Sequence, residues 1–270
     1  MNRYAYTDEA RKHLHTLDEK PLCGTSTITK EALPKTLQWW AAEMSAVECL
    51  EKGECIPTIR EEYNAARILP YQKKKIAIDA LQKKYPIFRA ARFAHYDDMK
   101  EKGKDGVDMH AELETYVKDC IQWGGSPREV PTAHNDAVAS FGTWALQNVD
   151  KFLWSEGHCY SETHWLGGIC DCGALLKNGL IAVIDFKSSK DAFFDQFVQT
   201  GGYTIQIEEN GILDAKGNLI LKLDKPITAL IIVPFGAEVV EPKILYAVDE
   251  YKQNFLNALS IYKSMKNYEA

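Results

Sequence analysis

The sequence predicts a mixed α/β (α+β) protein in which helices pack on a central sheet of mixed strand directions. Two observations carry this prediction. Residues 33–153 place apolar side chains at helical spacing, whereas from about residue 157 the pattern changes to short apolar runs. Helices and strands that are segregated along a chain pack as layers around one core. The first half therefore predicts a helical N-terminal elaboration, and the second half predicts the sheet.

Each predicted element has a local reason. The helices of the first half show the periodicity of one apolar face, and Pro34, the breaker-rich residues 103–106 and Asn135 mark helix ends. These helices cover residues 33–52, 71–85, 86–102, 106–123 and 135–153. Two further helices cover about 194–208 and the residues from Val248 onward. The strands cover residues 158–166, 168–176, 180–188, 219–223, 227–235 and 241–248.

Composition argues against a membrane protein and against a secreted one. No apolar run approaches the length of a membrane span, and the first fifteen residues lack the apolar core of a signal peptide. The seven cysteines are odd in number and have no regular spacing, which predicts reduced thiols. We therefore expect a cytoplasmic protein without a membrane partner.

Charge is distributed unevenly along the chain. The net charge is −6, but residues 60–104 carry 12 Lys or Arg against 6 Asp or Glu, including Lys73, Lys74 and Lys75. A local basic patch on an acidic protein suits a polyanion that is held at one place. The alternative is a solvated helix face, which charge alone favours.

The stretch IAVIDFKSSK, residues 181–190, reads as a strand buried on both faces, yet it contains Asp185 and Lys187. Buried charges require a partner or a metal. A two-residue hairpin loop at Asn178-Gly179 would place Asp171 and Asp185 on opposite faces, whereas a three-residue loop from Lys177 to Gly179 would pair them directly. We favour the three-residue loop.

Two adjacent aspartates stay ionised only around a cation, and carboxylate oxygens favour Mg²⁺ or Mn²⁺. A protonated Lys187 cannot be a ligand, but it can hold an attacking water or stabilise charge on a phosphate. The alternative is a simple salt bridge between Asp185 and a lysine.

Four sequence elements occur in a characteristic order. They are a Ser/Thr-containing segment at residues 24–40, GVDMH at 106–110, Asp171 followed by Asp185-Phe186-Lys187, and QTGGY at 199–203. Together they resemble the RecB-like exonuclease branch of the PD-(D/E)XK nuclease superfamily. The resemblance covers about residues 24–206 and implies a restriction-endonuclease-like fold.

The resemblance also implies roles for individual residues. His110, Asp171, Asp185 and the backbone carbonyl of Phe186 would bind one or two Mg²⁺ or Mn²⁺ ions, and Lys187 would be catalytic. The three cysteines that hold an iron–sulfur cluster in some relatives of this branch have no counterpart after Tyr203, so no such cluster is expected.

Several residues would support the site or contact DNA. Glu114 lies one helical turn after His110 and could hydrogen-bond a metal-bound water, or it could simply face solvent. Gln199 and Tyr203 lie on one helix face, but Gly201 and Gly202 between them disfavour a helix, which predicts a kink or a close DNA strand. The remaining supporting or DNA-binding residues implied are Thr25, Ser26, Lys73, Lys74 and Lys75.

These inferences predict a metal-dependent deoxyribonuclease, an exonuclease that acts on single-stranded ends. Residues 1–105 would form a helical, DNA-guiding region and residues 106–270 the nuclease core. DNA would be the partner, with a recombination or repair protein as a possible second one, in a bacterial or phage-infected cell. The alternatives are a structure- or sequence-selective endonuclease on the same core and a nucleic-acid-binding adaptor with a vestigial site.

Overall fold

The computed structural model describes residues 3–9, 12–33, 45, 56–130, 136–236 and 240–269. Most of the predicted helix at 33–52, with Trp39 and Trp40, lies outside these residues. The chain divides into two compact units, one formed by Met1–Pro34 with Gly106–Ala270 and the other by Lys35–Asp105. The break between Asp105 and Gly106 lies at the predicted boundary. Residues 1–34, however, belong to the same unit as residues 106–270.

Seven helices and eleven strands are described. The helices are α1 (Thr25–Ala32), α2 (Ile56–Arg67), α3 (Tyr71–Lys84), α4 (Pro86–Gln122), α5 (Asp136–Asn148), α6 (Phe194–Asn210) and α7 (Val248–Glu269). The strands are β1 (Tyr4–Glu9), β2 (Lys12–Leu17), β3 (Lys20–Pro21), β4 (Cys23–Gly24), β5 (Val149–Ser161), β6 (Leu166–Leu176), β7 (Ile181–Lys187), β8 (Ile212–Leu213), β9 (Leu219–Leu221), β10 (Ala229–Pro234) and β11 (Lys243–Leu245). The protein is therefore a mixed α/β protein, as predicted.

The main sheet has eight strands in the order β11-β10-β7-β6-β5-β8-β9, with β4 paired to β6. Strands β5, β6 and β7 are antiparallel neighbours, whereas β7 and β10 are parallel. The sheet is mixed because α6 and the segment after it return the chain to the starting edge before β10 begins. Strand β7 lies inside the sheet and six of its seven residues are buried, which explains its continuous apolar run.

Helices cover both faces of this sheet. On one face Leu113 and Val117 of α4 and Phe141 of α5 pack against Ile184 and Ile231 of the sheet. On the other face, Tyr203 and Ile207 of α6 pack against Val183. The charged residues of β7 therefore lie between two apolar layers.

Helix α4 differs from the prediction. It runs without interruption from Pro86 to Gln122, whereas the sequence predicts two helices separated by residues 103–106. Two glycines in that segment cost a helix about 1 kcal/mol each, but they do not forbid helical dihedral angles, and the apolar pattern continues on either side.

The described residues up to Gly24 also differ, because they form strands rather than helices. Strands β1, β2 and β3 make a small antiparallel sheet, and β4 joins the main sheet. Tyr4, His15 and His158 form a buried tyrosine–histidine cluster between this small sheet and β5. The Tyr4 hydroxyl lies 2.6 Å from His15 Nδ1 and 3.2 Å from His158 Nδ1, so these buried polar groups satisfy one another.

The glycine pair in α6 has a packing role. A Cβ atom at Gly201 would lie 2.5 Å from the backbone oxygen of Tyr251, and one at Gly202 would lie 2.5 Å from the ring of Phe255. Both contacts are with α7. The predicted kink or close DNA strand is therefore replaced by a helix–helix contact that only glycine permits.

The described cysteines are free thiols. Among the described residues, none of the helices is both long and apolar enough to cross a membrane.

Candidate metal centre

The hairpin between β6 and β7 sets the register of the site. Gly179 has φ +83°, Gly179 N donates to Leu176 O at 2.8 Å, and Leu176 N donates to Leu180 O at 2.8 Å. The pairs Leu175–Ile181 through Cys172–Ile184 follow from this three-residue loop. The favoured register is confirmed, and one step further along it Asp171 lies opposite Asp185.

A third carboxylate extends this pair. Ser155 pairs with Cys172 and Gly157 pairs with Cys170, so Glu156 of β5 lies opposite Asp171. Glu156, Asp171 and Asp185 thus form one row across three neighbouring strands, which we call the carboxylate row. Glu156 has φ +49°, a left-handed conformation that is uncommon for a residue other than glycine.

Helix α4 brings an imidazole and a further carboxylate to this row. His110 Nε2 lies 3.2 Å from Asp171 Oδ2, and the same oxygen accepts a hydrogen bond of 2.7 Å from Phe186 N. His110, Glu114 and Glu156 each offer a ligand atom within 4.8 Å of the others. Glu114 also forms an ion pair with Lys118, one turn further along the helix.

Lys187 lies at the other end of the row. Its Nζ atom is 2.6 Å from Asp185 Oδ2, and the Asp185 residue is only 1 % exposed. Despite this ion-pair distance, Asp185 Oδ2 accepts no hydrogen bond of regular geometry, and neither does the buried Oε1 of Glu156. Carboxylate oxygens that are buried without donors are costly unless something else neutralises them.

The pKa values follow from burial and crowding. Burial raises the pKa of Asp185 to about 6 although the positive charge of Lys187 opposes it, and burial together with Asp171 raises the pKa of Glu156 to about 7. Burial opposes protonation of His110, but the neighbouring Asp171 outweighs it and raises the pKa to about 9. Burial likewise opposes the charge on Lys187, yet Asp185 and Asp171 raise its pKa, so it stays protonated.

The donor set fits a hard divalent cation. Mg²⁺ and Mn²⁺ take carboxylate oxygens, and one imidazole favours Mn²⁺ somewhat. The buried Oε1 of Glu156 accepts no hydrogen bond and so provides an unsatisfied acceptor for such an ion, whereas Asp185 Oδ2 is paired with Lys187. The side chain of Phe186 packs against His110 and Phe141 in the core, so only its backbone is available to a cation.

Two other predicted residues lie next to the centre. Gln199 Nε2 donates to the Tyr203 hydroxyl at 2.7 Å, as expected for residues one turn apart on a helix. Burial and the charges of Asp185 and Asp171 raise the pKa of Tyr203 well above its usual value, so its hydroxyl keeps its proton. The pair lies on α6, close enough to the two aspartates to be affected by their charges.

The remaining predicted residues lie elsewhere. Thr25 is buried, donates to Gly167 O at 3.2 Å and accepts from Gln206 Nε2 at 2.6 Å, so it ties α1 to β6 and α6. Ser26, next to it, is half-buried. Lys73, Lys74 and Lys75 are exposed on α3 in the second compact unit.

Glu156 is the residue that sequence reasoning missed. The turn between β5 and β6 has no recognisable hairpin signature, so the register of β5 could not be counted from it as the register of β7 could. The available signal was a glutamate followed by glycine within an apolar run.

Comparison with models of protein families gives no match for this chain, and comparison with curated proteins gives no match either.

Proposed function

We propose that this protein is a metal-dependent deoxyribonuclease of the RecB-like branch of the PD-(D/E)XK superfamily, and that it degrades DNA from single-stranded ends. One observation carries the proposal. Asp171, Asp185 and Lys187, which the motif requires together, lie on adjacent strands beside His110, with Lys187 Nζ 2.6 Å from Asp185 Oδ2 and His110 Nε2 3.2 Å from Asp171 Oδ2.

The sheet supports the fold part of the proposal. Its centre consists of antiparallel β5, β6 and β7 with β10 parallel to β7, and helices cover both faces. We infer that this centre corresponds to the mixed core of a restriction-endonuclease-like fold. The candidate site lies at the end of β7 from which α6 departs, as expected for a site that takes side chains from a strand and from flanking helices.

His110, Asp171, Asp185, the carbonyl of Phe186 and, in addition to the motif, Glu156 would hold the cation. An Mg²⁺ or Mn²⁺ ion bound there would act as a Lewis acid that activates water and neutralises charge on a phosphate. Asp185 and Asp171 raise the pKa of Lys187 in the metal-free protein. Its ammonium group would donate hydrogen bonds, either to orient the attacking water or to stabilise the developing phosphate charge.

The basic segment supports DNA as the polyanion. Residues 60–104 have a charge of +6 in a chain whose net charge is −6, and Lys73, Lys74 and Lys75 are exposed on α3. Lysines that neutralise phosphates release counterions, so binding through this segment should weaken steeply as salt concentration rises. Thr25 supports the fold in this proposal rather than contacting DNA.

End-labelled linear and circular single-stranded DNA, incubated with Mn²⁺, Mg²⁺ or EDTA, tests the proposal. We expect metal-dependent loss of the linear strand while the circle is spared. Cleavage of both substrates would identify an endonuclease on the same core. Binding without cleavage in either metal would identify a nucleic-acid-binding adaptor.

Contamination by another nuclease needs a matched control. Lys187→Ala removes the ammonium group at the centre, whereas Lys225→Ala removes an exposed ammonium group from the loop before β10. Only the first should abolish cleavage. Equal activity of the two variants would contradict the assignment of the centre.

A further inference from the structure

The segment between β7 and α6 exposes two adjacent aromatic rings. Phe193 is 46 % exposed and Phe194 is 55 % exposed, whereas the other phenylalanines of the same compact unit are buried. Those buried phenylalanines are Phe141, Phe152, Phe186, Phe197, Phe235 and Phe255. A unit that buries its phenylalanines elsewhere therefore presents two of them to solvent at one point of the chain.

The backbone that carries these rings is fixed by hydrogen bonds. Gly236 N donates to Ser189 O at 3.0 Å, which extends the pairing of the β7 and β10 ends. Gln196, which is buried, donates through Nε2 to Ser189 Oγ at 3.0 Å and accepts from Phe193 N at 2.9 Å. The ring of Phe194 also lies 5.8 Å from the ring of Tyr251. Rings on such a support lose little conformational freedom when a ligand binds.

The two rings follow Lys187 closely along the chain, and α6, which begins at Phe194, passes the metal centre. The segment begins directly after Lys187, whose carbonyl oxygen accepts from Phe235 N at 2.8 Å. Asp195, which follows Phe194, lies close enough to Lys187 to act on its charge. One and two turns further along α6, Gln199 and Tyr203 lie close to the same centre. The first turn of α6 therefore borders the ammonium group that would meet the scissile phosphate.

The chemistry of the ligand follows from this placement. Beside a centre that acts on a phosphodiester, the nearest flat apolar group of the substrate is a nucleobase, and every base offers a π-face for stacking on an aromatic ring. In a duplex these faces are already stacked on neighbouring bases. An unpaired strand or a frayed end leaves them available.

We propose that Phe193 and Phe194 form a stacking surface for an unpaired nucleobase beside the phosphate at the Asp185–Lys187 centre, and that this surface gives the site its preference for single strands. The inference rests on the proposed nuclease function and adds the determinant of substrate class.

The test compares a stacking substrate with one that cannot stack. The dissociation constants of a labelled oligothymidylate and of an abasic strand of equal length are measured in EDTA by fluorescence anisotropy. We expect Phe193→Ala/Phe194→Ala to weaken oligothymidylate binding about tenfold and to leave binding of the abasic strand unchanged. Equal weakening for both strands would overturn the proposal, because it would indicate a general disturbance of the site.

A matched control removes a different exposed aromatic ring. Trp123 is 71 % exposed at the end of α4 and is covered by the guanidinium group of Arg128 at 5.2 Å. Trp123→Ala should leave both dissociation constants unchanged. If Trp123→Ala weakened oligothymidylate binding as much as the double phenylalanine variant does, the result would contradict a specific role for Phe193 and Phe194.

Cleavage by the same protein samples separates this inference from the function on which it rests. Wild-type protein that cleaves in Mn²⁺, together with a double variant that keeps full affinity for oligothymidylate, would overturn the stacking surface alone. Wild-type protein that shows the stacking difference but never cleaves would overturn the nuclease and leave the surface in place.

Discussion

Two buried polar clusters lie two residues apart on β5, and they are built in opposite ways. His158 belongs to the tyrosine–histidine cluster, where the Tyr4 hydroxyl lies within hydrogen-bond distance of both His15 and His158. Glu156 belongs to the carboxylate row, where its Oε1 atom is buried without a hydrogen bond. One strand thus contributes to a cluster of satisfied neutral groups and to a cluster of crowded like charges.

This difference in hydrogen bonding distinguishes polar groups that stabilise the fold from polar groups that could bind a ligand. Buried groups that satisfy one another stabilise a unique packing, whereas crowded buried carboxylates repel one another and destabilise the metal-free protein. Changes in the tyrosine–histidine cluster should therefore cost stability, and changes in the carboxylate row should cost activity while leaving stability intact or improved.

The largest effect is expected at the junction of the carboxylate row with Lys187. Asp185→Asn keeps the shape of the side chain but removes the charge that would hold a cation, so cleavage should fall at least about a thousandfold. Steady-state cleavage of single-stranded DNA measures the loss, and thermal unfolding without metal should show a Tm no lower than that of the wild type. A variant that unfolds at lower temperature and retains activity would reverse the comparison.

The two clusters should respond to pH with opposite signs. Burial lowers the pKa of His15 from 6.5 to about 4, so its stabilising contribution, present above pH 6.5, is lost as the pH falls through 4. Burial raises the pKa of Asp185 from 3.8 to about 6, so its contribution, present below pH 3.8, is lost as the pH rises through 6. Each effect amounts to about 3 kcal/mol.

Urea unfolding of metal-free protein between pH 4 and 6.5 measures these slopes. Asp185→Asn should make stability rise more steeply with pH, and His15→Gln should make it fall with pH. Asp150→Asn, which neutralises an exposed carboxylate on β5 outside both clusters, serves as the control and should keep the wild-type profile. Parallel profiles for all variants would show that the clusters do not differ in this way.

A smaller loss is expected from one hydroxyl group. Tyr4→Phe removes the shared partner of His15 and His158 and leaves two buried ring nitrogens without it, which should lower the free energy of unfolding by about 2 kcal/mol. Denaturant unfolding measures this change, and cleavage should be unaffected. Tyr6→Phe, which removes a hydroxyl 2.6 Å from the exposed His13, should cost less.

The smallest effect is expected at Glu156. Glu156→Gln relieves repulsion within the carboxylate row, so the metal-free protein should gain about 1 kcal/mol of stability, while Mn²⁺ affinity should fall about tenfold. Calorimetric titration with Mn²⁺ and unfolding in EDTA measure the two quantities. Unchanged Mn²⁺ affinity would exclude Glu156 from the centre.

Elements with local rules could be predicted from the sequence. The β6–β7 register followed from a three-residue loop with Gly179, because one turn fixes every subsequent pair. The continuity of α4 could not be predicted in this way, because packing along its whole length outweighs the intrinsic preference of a few residues. Among the N-terminal strands, β4 depends on pairing with the distant Leu166 in β6, which leaves no periodic signal nearby.

The site residues also differ in whether local sequence rules predict their positions. Asp171, Asp185 and Lys187 lie on one hairpin and follow from its register. The contact of His110 with Asp171 required a motif to predict, because α4 and β6 are brought together only by tertiary packing. The position of Glu156 in the carboxylate row could be predicted only from the register of β5 with β6, and no turn residue specifies that register.

The close contact of Gly201 and Gly202 with α7 bears on the order in which the protein assembles during synthesis. The β6–β7 hairpin depends on neighbouring residues and can form soon after it leaves the ribosome, whereas the contact of α6 with α7 forms only when Tyr251 and Phe255 have been made. Gln199 and Tyr203 are carried by α6. A ribosome-bound chain lacking α7 would therefore hold the acidic hairpin before α6 is fixed against α7, and the candidate centre would be completed late in translation.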